Sequence, residues 1–115
     1  MRCIKFRGVD VFSGKIVYGD LVHNKKVTKD GLEDRVMVGG YEVSEDSVGQ
    51  YTGCDDKNSE PIYEKDKVSS IIHGKKIVGR VVYGYTIFGY GFSIRCVIDG
   101  FFQYFMLNNE WEIEK

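Results

Sequence analysis

The sequence predicts an all-β protein, with a small SH3-like β-barrel in the C-terminal half and an N-terminal antiparallel β unit packed on it. Apolar and polar residues alternate with a period of two along most of the chain, which is the periodicity of strands. Glycine interrupts almost every stretch that could otherwise be helical. Dipeptides typical of tight turns separate the alternating segments, as expected of successive hairpins.

In the N-terminal half the pattern predicts several short strands. Ile4 and Phe6 alternate with charged residues, which suits a strand with one solvent-exposed face. A turn at Ser13-Gly14 leads into a strand over residues 15–23, and the two strands are predicted to form a hairpin. The remaining predicted elements are a turn at Asp30-Gly31, strands at 35–38 and 41–43 around Gly39-Gly40, and one helical turn at 45–48.

The C-terminal half carries the clearest hairpin signals. His73-Gly74 separates predicted strands at 67–72 and 75–83. Asp99-Gly100 separates strands at 92–98 and 101–107, and this dipeptide favours a type I′ turn. With a last short strand at 111–113, five strands follow Asp66, which is enough for a small closed barrel.

Length and composition limit the classes of protein. At 115 residues the chain predicts one domain, divided into an N-terminal β unit (1–53), a turn-rich connection (54–65) and a barrel-like part (66–115). The net charge of −1 provides no global field for nucleic acid or an acidic membrane, so polyanion binding would need a local patch. Three widely spaced cysteines and the lack of a signal peptide or membrane span indicate a cytoplasmic protein.

Six short motifs occur in order along the chain: Ile4 to Gly8, Val17 to Leu21, Gly40 to Val43, Val48 to Gly53, Asp56-Lys57-Asn58, and Ile62-Tyr63-Glu64 followed by Asp66. As a set they resemble the YopX family of phage and prophage proteins. The resemblance implies a predominantly β fold with a barrel-like C-terminal part, encoded by a bacteriophage or prophage, and hence a location in the cytoplasm of a bacterial host cell. It implies no defined biochemical role.

Two residues depart from the family pattern at predicted turns. Ser59 and Lys65 stand where the family usually has glycine. If these turns need a positive φ, a non-glycine residue costs on the order of 1 kcal/mol more than glycine. Pro61 has no N–H to donate, so it is expected at a strand start or a sheet edge.

The run Gly49-Gln50-Tyr51-Thr52-Gly53 has a structural and a functional interpretation. As structure, it is a short strand anchored by tertiary contacts. Tyr51 would pack between the N-terminal sheet and the barrel, and Gln50 would form hydrogen bonds with buried backbone groups. As a site, Gln50 and Tyr51 would contact a ligand in a crevice between the two halves. The structural interpretation is favoured, because no convergent set of polar residues accompanies the run.

Catalytic and metal-binding patterns are weak, and we expect no catalytic residues, no metal and no cofactor. The one constellation worth testing joins His73 to Glu64 or Asp66. Asp, Lys, Asn and Ser between strands are ordinary turn residues. Cys54 precedes two aspartates, which should disfavour its thiolate. The sequence therefore predicts a protein that is not an enzyme.

The segment Tyr83 to Phe92 gives the best indication of binding. Tyr83, Tyr85, Phe88 and Tyr90 are separated by glycines and lie beside a hairpin that carries Lys75, Lys76 and Arg80. Aromatic rings next to cations can hold single-stranded nucleic acid, whereas glycines with aromatics also form the corners and core of small barrels. Corner and core are the favoured interpretation of this segment.

Two function classes remain open from the sequence. The first is a non-catalytic binding or assembly module whose partner is protein, either a second copy or a phage or host factor, joined through sheet edges and the aromatic segment. The second is a small nucleic-acid-binding barrel that uses Lys75, Lys76, Arg80 and the nearby tyrosines. The near-neutral charge makes the second class the weaker one. No membrane partner is expected.

Overall fold

A computed structural model describes residues 5–114. The described chain is built from antiparallel β-strands and one short 3-10 helix, which confirms the predicted all-β class. The strands are β1 (Phe6–Val9), β2 (Ile16–Gly19), β3 (Leu21–Thr28), β4 (Gly31–Val38), β5 (Tyr41–Val43), β6 (Gly49–Asp55), β7 (Pro61–Tyr63), β8 (Lys67–Ile72), β9 (Lys75–Thr86), β10 (Gly89–Ile98), β11 (Phe101–Met106) and β12 (Glu112–Ile113). The 3-10 helix, Glu45–Ser47, lies where one helical turn was predicted.

The chain divides into two compact units, Met1–Tyr51 and Thr52–Lys115. In the first unit, β1 pairs with β2 and with the beginning of β6, while β3, β4 and β5 form a second sheet. Its core consists of Val36, Val38 and Val43, against which partly buried residues such as Phe6 and Leu21 pack. The single-domain organisation stays a prediction.

The predicted strand at 15–23 is wrong in one respect, because it is two strands. β2 ends at Gly19 and pairs with β1, whereas β3 begins at Leu21 and pairs with β4. The change of partner occurs where two backbones nearly touch: a Cβ on Gly19 would lie 2.7 Å from the Cα of Gly39. A Cβ on Gly39 would collide with the Tyr18 carbonyl oxygen. Only glycine permits this approach.

The second unit contains the five strands predicted after Asp66. They form one antiparallel sheet with the order β11-β10-β9-β8-β12. Its core contains Ile62, Val68, Val81, Ile94, Cys96 and Trp111. Closure of this sheet into an SH3-like barrel stays a prediction.

Both predicted two-residue hairpin turns are confirmed. The φ angles are 50° at His73 and 78° at Gly74, and 53° at Asp99 and 81° at Gly100. Two successive positive φ angles define the type I′ turn, whose twist matches that of the flanking strands. These turns fix the register of β8 against β9 and of β10 against β11.

The turns at 56–60 and 63–66 contain the positive φ angles expected from the family pattern. Ser59 has φ 65° and Lys65 has φ 77°, so both non-glycine residues occupy the left-handed region. Pro61 begins β7, as predicted for a residue that lacks an N–H. The departures from the family pattern thus carry conformational strain without altering the turns.

Replacing Ser59 or Lys65 by glycine is expected to stabilise the protein. Each change relieves a left-handed backbone at a non-glycine residue, so the free energy of unfolding should rise by up to about 1 kcal/mol in urea denaturation. Ser44→Gly is the matched control, because exposed Ser44 has φ −66° and glycine there only adds freedom to the unfolded chain. Equal changes in the free energy of unfolding for Ser59→Gly and Ser44→Gly would contradict the backbone strain assigned to Ser59.

Candidate functional site

The hairpin of β9 and β10 extends past the strands that flank it. The pairing of β8 with β9 ends at Arg80, and the pairing of β10 with β11 begins at Ser93. Apart from the hydrogen bonds of Val81 with Lys65 and Asp66, the later part of β9 and the earlier part of β10 pair only with each other within residues 5–114, up to Thr86 and Gly89. We call residues 82–92 the β-arm. The segment predicted as a connection is therefore a two-stranded ribbon.

One face of the β-arm carries two aromatic pairs. Tyr83 lies opposite Phe92 and Tyr85 lies opposite Tyr90 in the register. The ring centroids are 5.0 Å apart in both pairs, within the range of favourable aromatic contacts. Because side chains alternate along a strand, these four rings continue the face that buries Val81 at the base of the hairpin.

The aromatic residues of the β-arm are largely exposed. Relative exposure is 60% for Tyr83, 74% for Tyr85, 45% for Phe88 and 80% for Tyr90. The interpretation that this segment fills a corner or core is therefore wrong for these four residues. It holds in part for Phe92, which packs against the core of the second unit. The face of the hairpin that packs into the core thus continues along the β-arm as an exposed apolar surface.

The β-arm has no charged residue. Residues 81–94 contain no Asp, Glu, Lys, Arg or His. The β3–β4 hairpin of the first unit is a contrast, because its exposed Val27 and Leu32 lie among charged residues that include the ion pair of Lys25 with Asp34. Exposed strand edges are usually protected by charge. The β-arm lacks this protection.

The predicted basic residues do not gather around the aromatic rings. Lys76 and Arg80 lie on the face of β9 opposite to Tyr83 and Tyr85, since residues of even and odd number face opposite sides. The Lys76 ammonium is 2.9 Å from Glu114. Lys75 shares the face of the tyrosines but lies at the other end of β9. The structure thus separates the residues that the nucleic-acid hypothesis placed together.

Two motif aspartates hold backbone turns together. Asp56 is 4% exposed; its Oδ1 accepts hydrogen bonds from the backbone N–H of Asn58 and of Glu60, at 2.8 and 2.9 Å. Its Oδ2 accepts one from the N–H of Ile113 at 3.1 Å. Asp66 Oδ2 accepts one from the N–H of Tyr63 at 2.8 Å. These carboxylates satisfy backbone donors and therefore have structural roles.

The other motif residues that were predicted as structural also lie in strands and turns. Gly49 and Gln50 pair with β1, and Tyr51 donates its backbone N–H to the Lys5 carbonyl at 2.7 Å. The Thr52 hydroxyl donates to the Ile62 carbonyl at 2.8 Å. The remaining members are Gly53 with φ 84°, Lys57 and Asn58 in the turn after Asp56, the fully buried Ile62 and Tyr63, and the partly exposed Glu64.

The family comparison agrees with these motifs. The model of the family described as YopX protein matches residues 5–113. The chain belongs to the YopX family. No curated protein matches it.

In this YopX chain a polar cavity of about 760 Å³ adjoins β8 and β12. Both lysines of its lining are ion-paired: Lys57 lies 3.1 Å from Glu112, and Lys76 lies 2.9 Å from Glu114. The lining also includes the acids Asp56, Glu60 and Glu110. The hydrogen bond from Lys57 lowers the pKa of Glu112, with a further bond from Asn58. Glu114 has a lowered pKa for the same kind of reason, its hydrogen bond with Lys76. With both lysines ion-paired and more acids than bases in the lining, this cavity does not suit an added anion.

The catalytic constellation suggested by the sequence is not assembled. Asp66 and His73 lie at opposite ends of β8, and six strand residues span about 20 Å. Within residues 5–114 no group of three or more His, Cys, Asp or Glu residues is placed to hold a metal ion. The same residues include no helix with the length and apolar character of a membrane span.

Neither described cysteine is activated. Burial, and secondly the charge of Asp55, raise the pKa of the Cys54 thiol, as the neighbouring aspartates had predicted. Burial in the core raises the pKa of the Cys96 thiol. These shifts disfavour the thiolate, which is the nucleophilic form of cysteine.

Sequence reasoning missed a set of residues on the outer face of the second unit's sheet. Lys67, Arg80 and Arg95 lie side by side on three adjacent strands, with Tyr104 next in the row. Two of the three pairings in this row could have been predicted, because the two type I′ turns alone align Lys67 with Arg80 and Arg95 with Tyr104. The pairing of Arg80 with Arg95 depends on the register of the β9–β10 hairpin, which the sequence did not reveal.

Proposed function

We propose that this YopX protein is a non-catalytic assembly module, in which the β-arm of one copy pairs with the β-arm of a second copy. The observation that carries the proposal is the exposed, uncharged aromatic ribbon of residues 82–92. Its setting in a phage or prophage, and in the cytoplasm of a bacterial host, is a further part of the proposal that rests on the family resemblance.

The edges of the β-arm support pairing with another strand. The Val81 N–H donates to the Asp66 carbonyl and the Val81 carbonyl accepts from the Lys65 N–H, so odd-numbered residues of β9 direct their backbone groups away from β10. The backbone groups of Tyr83 and Tyr85 therefore point to an edge without a neighbouring strand in the described chain. Such an edge is a template for strand addition.

The side chains of the β-arm favour a second copy as the partner. With no charge in residues 81–94, two identical β-arms approach without repulsion, whereas a charged partner would find no complementary group. An isologous pair about a two-fold axis matches each donor of one arm with an acceptor of the other. Tyrosine is also among the residues that contribute most to interfaces.

Charging the aromatic face is expected to separate the copies. In sedimentation equilibrium the wild type should associate with increasing concentration. The double variant Tyr85→Lys/Tyr90→Lys changes a cross-strand pair and places four positive charges in the paired arms. Its dissociation constant should rise at least about 100-fold, the effect of losing two interface hot spots.

The β3–β4 hairpin supplies the matched control. Val27 and Leu32 are also an exposed cross-strand pair, 84% and 67% exposed, so Val27→Lys/Leu32→Lys changes the charge equally without touching the β-arm. This control should associate like the wild type. A wild type that stays monomeric at every concentration, or a control that dissociates as much as the β-arm variant, would overturn the proposal.

A further inference from the structure

A row of three cations crosses the outer face of the five-stranded sheet. Lys67 on β8 pairs in register with Arg80 on β9, and Arg80 pairs with Arg95 on β10. Like charges directly opposite each other in a sheet are destabilising unless something compensates them. Adjacent strands are about 4.8 Å apart, so the row spans about 10 Å. All three residues are exposed, and we call them the cation row.

Aromatic side chains lie at the β11 end of the cation row. Tyr104 pairs with Arg95 in register, and Phe102 is 62% exposed on the same face. The Arg95 guanidinium lies over the Phe102 ring, 4.9 Å from its centroid. This cation–π contact holds the ring beside the charge. Charge and stacking surface are thus adjacent on two neighbouring strands.

The surface between these residues contains no acid. A shallow cavity of about 330 Å³ is lined by the cation row, Val78, Gly79, Val97 and Phe102, with no carboxylate among them. Glu114, just after β12, donates its backbone N–H to the Lys67 carbonyl; its carboxylate is 2.9 Å from the Lys76 ammonium and attracts Lys67 more weakly. One guanidinium nitrogen of Arg80 donates to the Lys65 carbonyl, which leaves further N–H donors for a ligand.

We propose that this face binds single-stranded nucleic acid. The cation row contacts successive phosphates of one strand, and Phe102 and Tyr104 stack on its bases. An open face with cations in a line suits a linear polyanion better than a small anion, which needs an enclosing pocket. Base stacking on aromatic side chains beside a basic track is the general means by which small β domains hold unpaired strands.

Salt dependence tests the cation row. In fluorescence anisotropy with labelled oligothymidylate and oligouridylate, log K should fall against log salt with a slope of about −2, as expected for three phosphates. Arg80→Gln and Arg95→Gln should each make the slope shallower by about 0.7. Lys75→Gln is the matched control, since exposed Lys75 lies on the other face of β9, and its slope should equal that of the wild type.

Stacking is tested separately from charge. Phe102→Ala should weaken binding about 5- to 150-fold, the measured range for one base stack, with the salt slope unchanged. Inorganic polyphosphate, which has no bases, should compete poorly and should not distinguish Phe102→Ala from the wild type. No binding to either oligonucleotide, or a slope unaffected by both arginine variants, or binding unaffected by Phe102→Ala, would each overturn the proposal.

Discussion

Replacing Asp56 by alanine is expected to lower the free energy of unfolding by about 3 kcal/mol. The carboxylate accepts three backbone hydrogen bonds, from Asn58, Glu60 and Ile113, at 2.8 to 3.1 Å. Each buried donor left without a partner costs about 1–3 kcal/mol, although donors near the surface recover part of this from water. The bond to Ile113 also ties the turn to β12, so its loss should loosen the last strand.

Trp111 fluorescence measures this loss directly. Trp111 is the one tryptophan in the sequence and is 3% exposed in the core of the second unit, and its carbonyl accepts the Lys57 N–H. Asp56→Asn should lose less than alanine, because it keeps one acceptor oxygen. Glu110→Ala, a change at an exposed residue of the same unit, should stay within about 0.5 kcal/mol of the wild type. A denaturation midpoint of Asp56→Ala equal to that of Glu110→Ala would refute the assigned role.

Adding one methyl group at Gly79 is expected to cost a similar amount, about 3 kcal/mol. A Cβ there would lie 2.5 Å from Cys96 Sγ, 2.7 Å from Ile94 Cγ2 and 2.8 Å from the Arg95 carbonyl oxygen. Overpacking of a core usually costs about 1–3 kcal/mol. The upper end applies here, because the Arg95 oxygen belongs to the backbone of a paired strand and cannot rotate away.

The control for Gly79→Ala is its neighbour in sequence. Val78 faces the other side of β9 and is 38% exposed, so Val78→Ala should have a much smaller effect in urea denaturation followed by Trp111 fluorescence. The ordering of the two variants is the critical result. Gly79→Ala as stable as Val78→Ala would mean that β9 and β10 do not pack as described.

Local turn chemistry could be predicted from the sequence because it depends on residues close together in the chain. His73-Gly74 and Asp99-Gly100 form the expected type I′ turns. Ser59 and Lys65 have the positive φ that the family pattern required. In each case the conformational preference of one or two residues decides the structure.

Features that depend on distant residues could not be predicted. The division of residues 15–23 into two strands follows from the contact of Gly19 with Gly39, which the alternating pattern does not reveal. Asp56 resembled an ordinary turn residue, and its bond to Ile113 crosses 57 residues. Tyr83 to Phe92 resembled a barrel corner, because periodicity does not show where flanking strands end.

The same distinction between features set by nearby residues and features set by distant residues applies to the candidate sites. The aromatic residues of the β-arm were recognised from their composition. Their exposure depends on where the pairing with the flanking strands ends, at Arg80 for β8 and at Ser93 for β11. The cation row was missed because its members come from three strands. The pairing of Arg80 with Arg95 requires the β9–β10 register. That hairpin turns at Ile87-Phe88, a dipeptide that does not predict a turn.

Amide hydrogen exchange of the β-arm, measured as a function of protein concentration, tests the central proposal most directly. The backbone N–H groups of Gly84 and Gly91 face the partner strand within the hairpin and serve as the internal reference. Those of Tyr83 and Tyr85 on one edge, and of Tyr90 and Phe92 on the other, face outward. Strand pairing between copies predicts that one of these edges exchanges quickly at low concentration and becomes protected as concentration rises. Outward amides that exchange at the same unprotected rate at every concentration would contradict it.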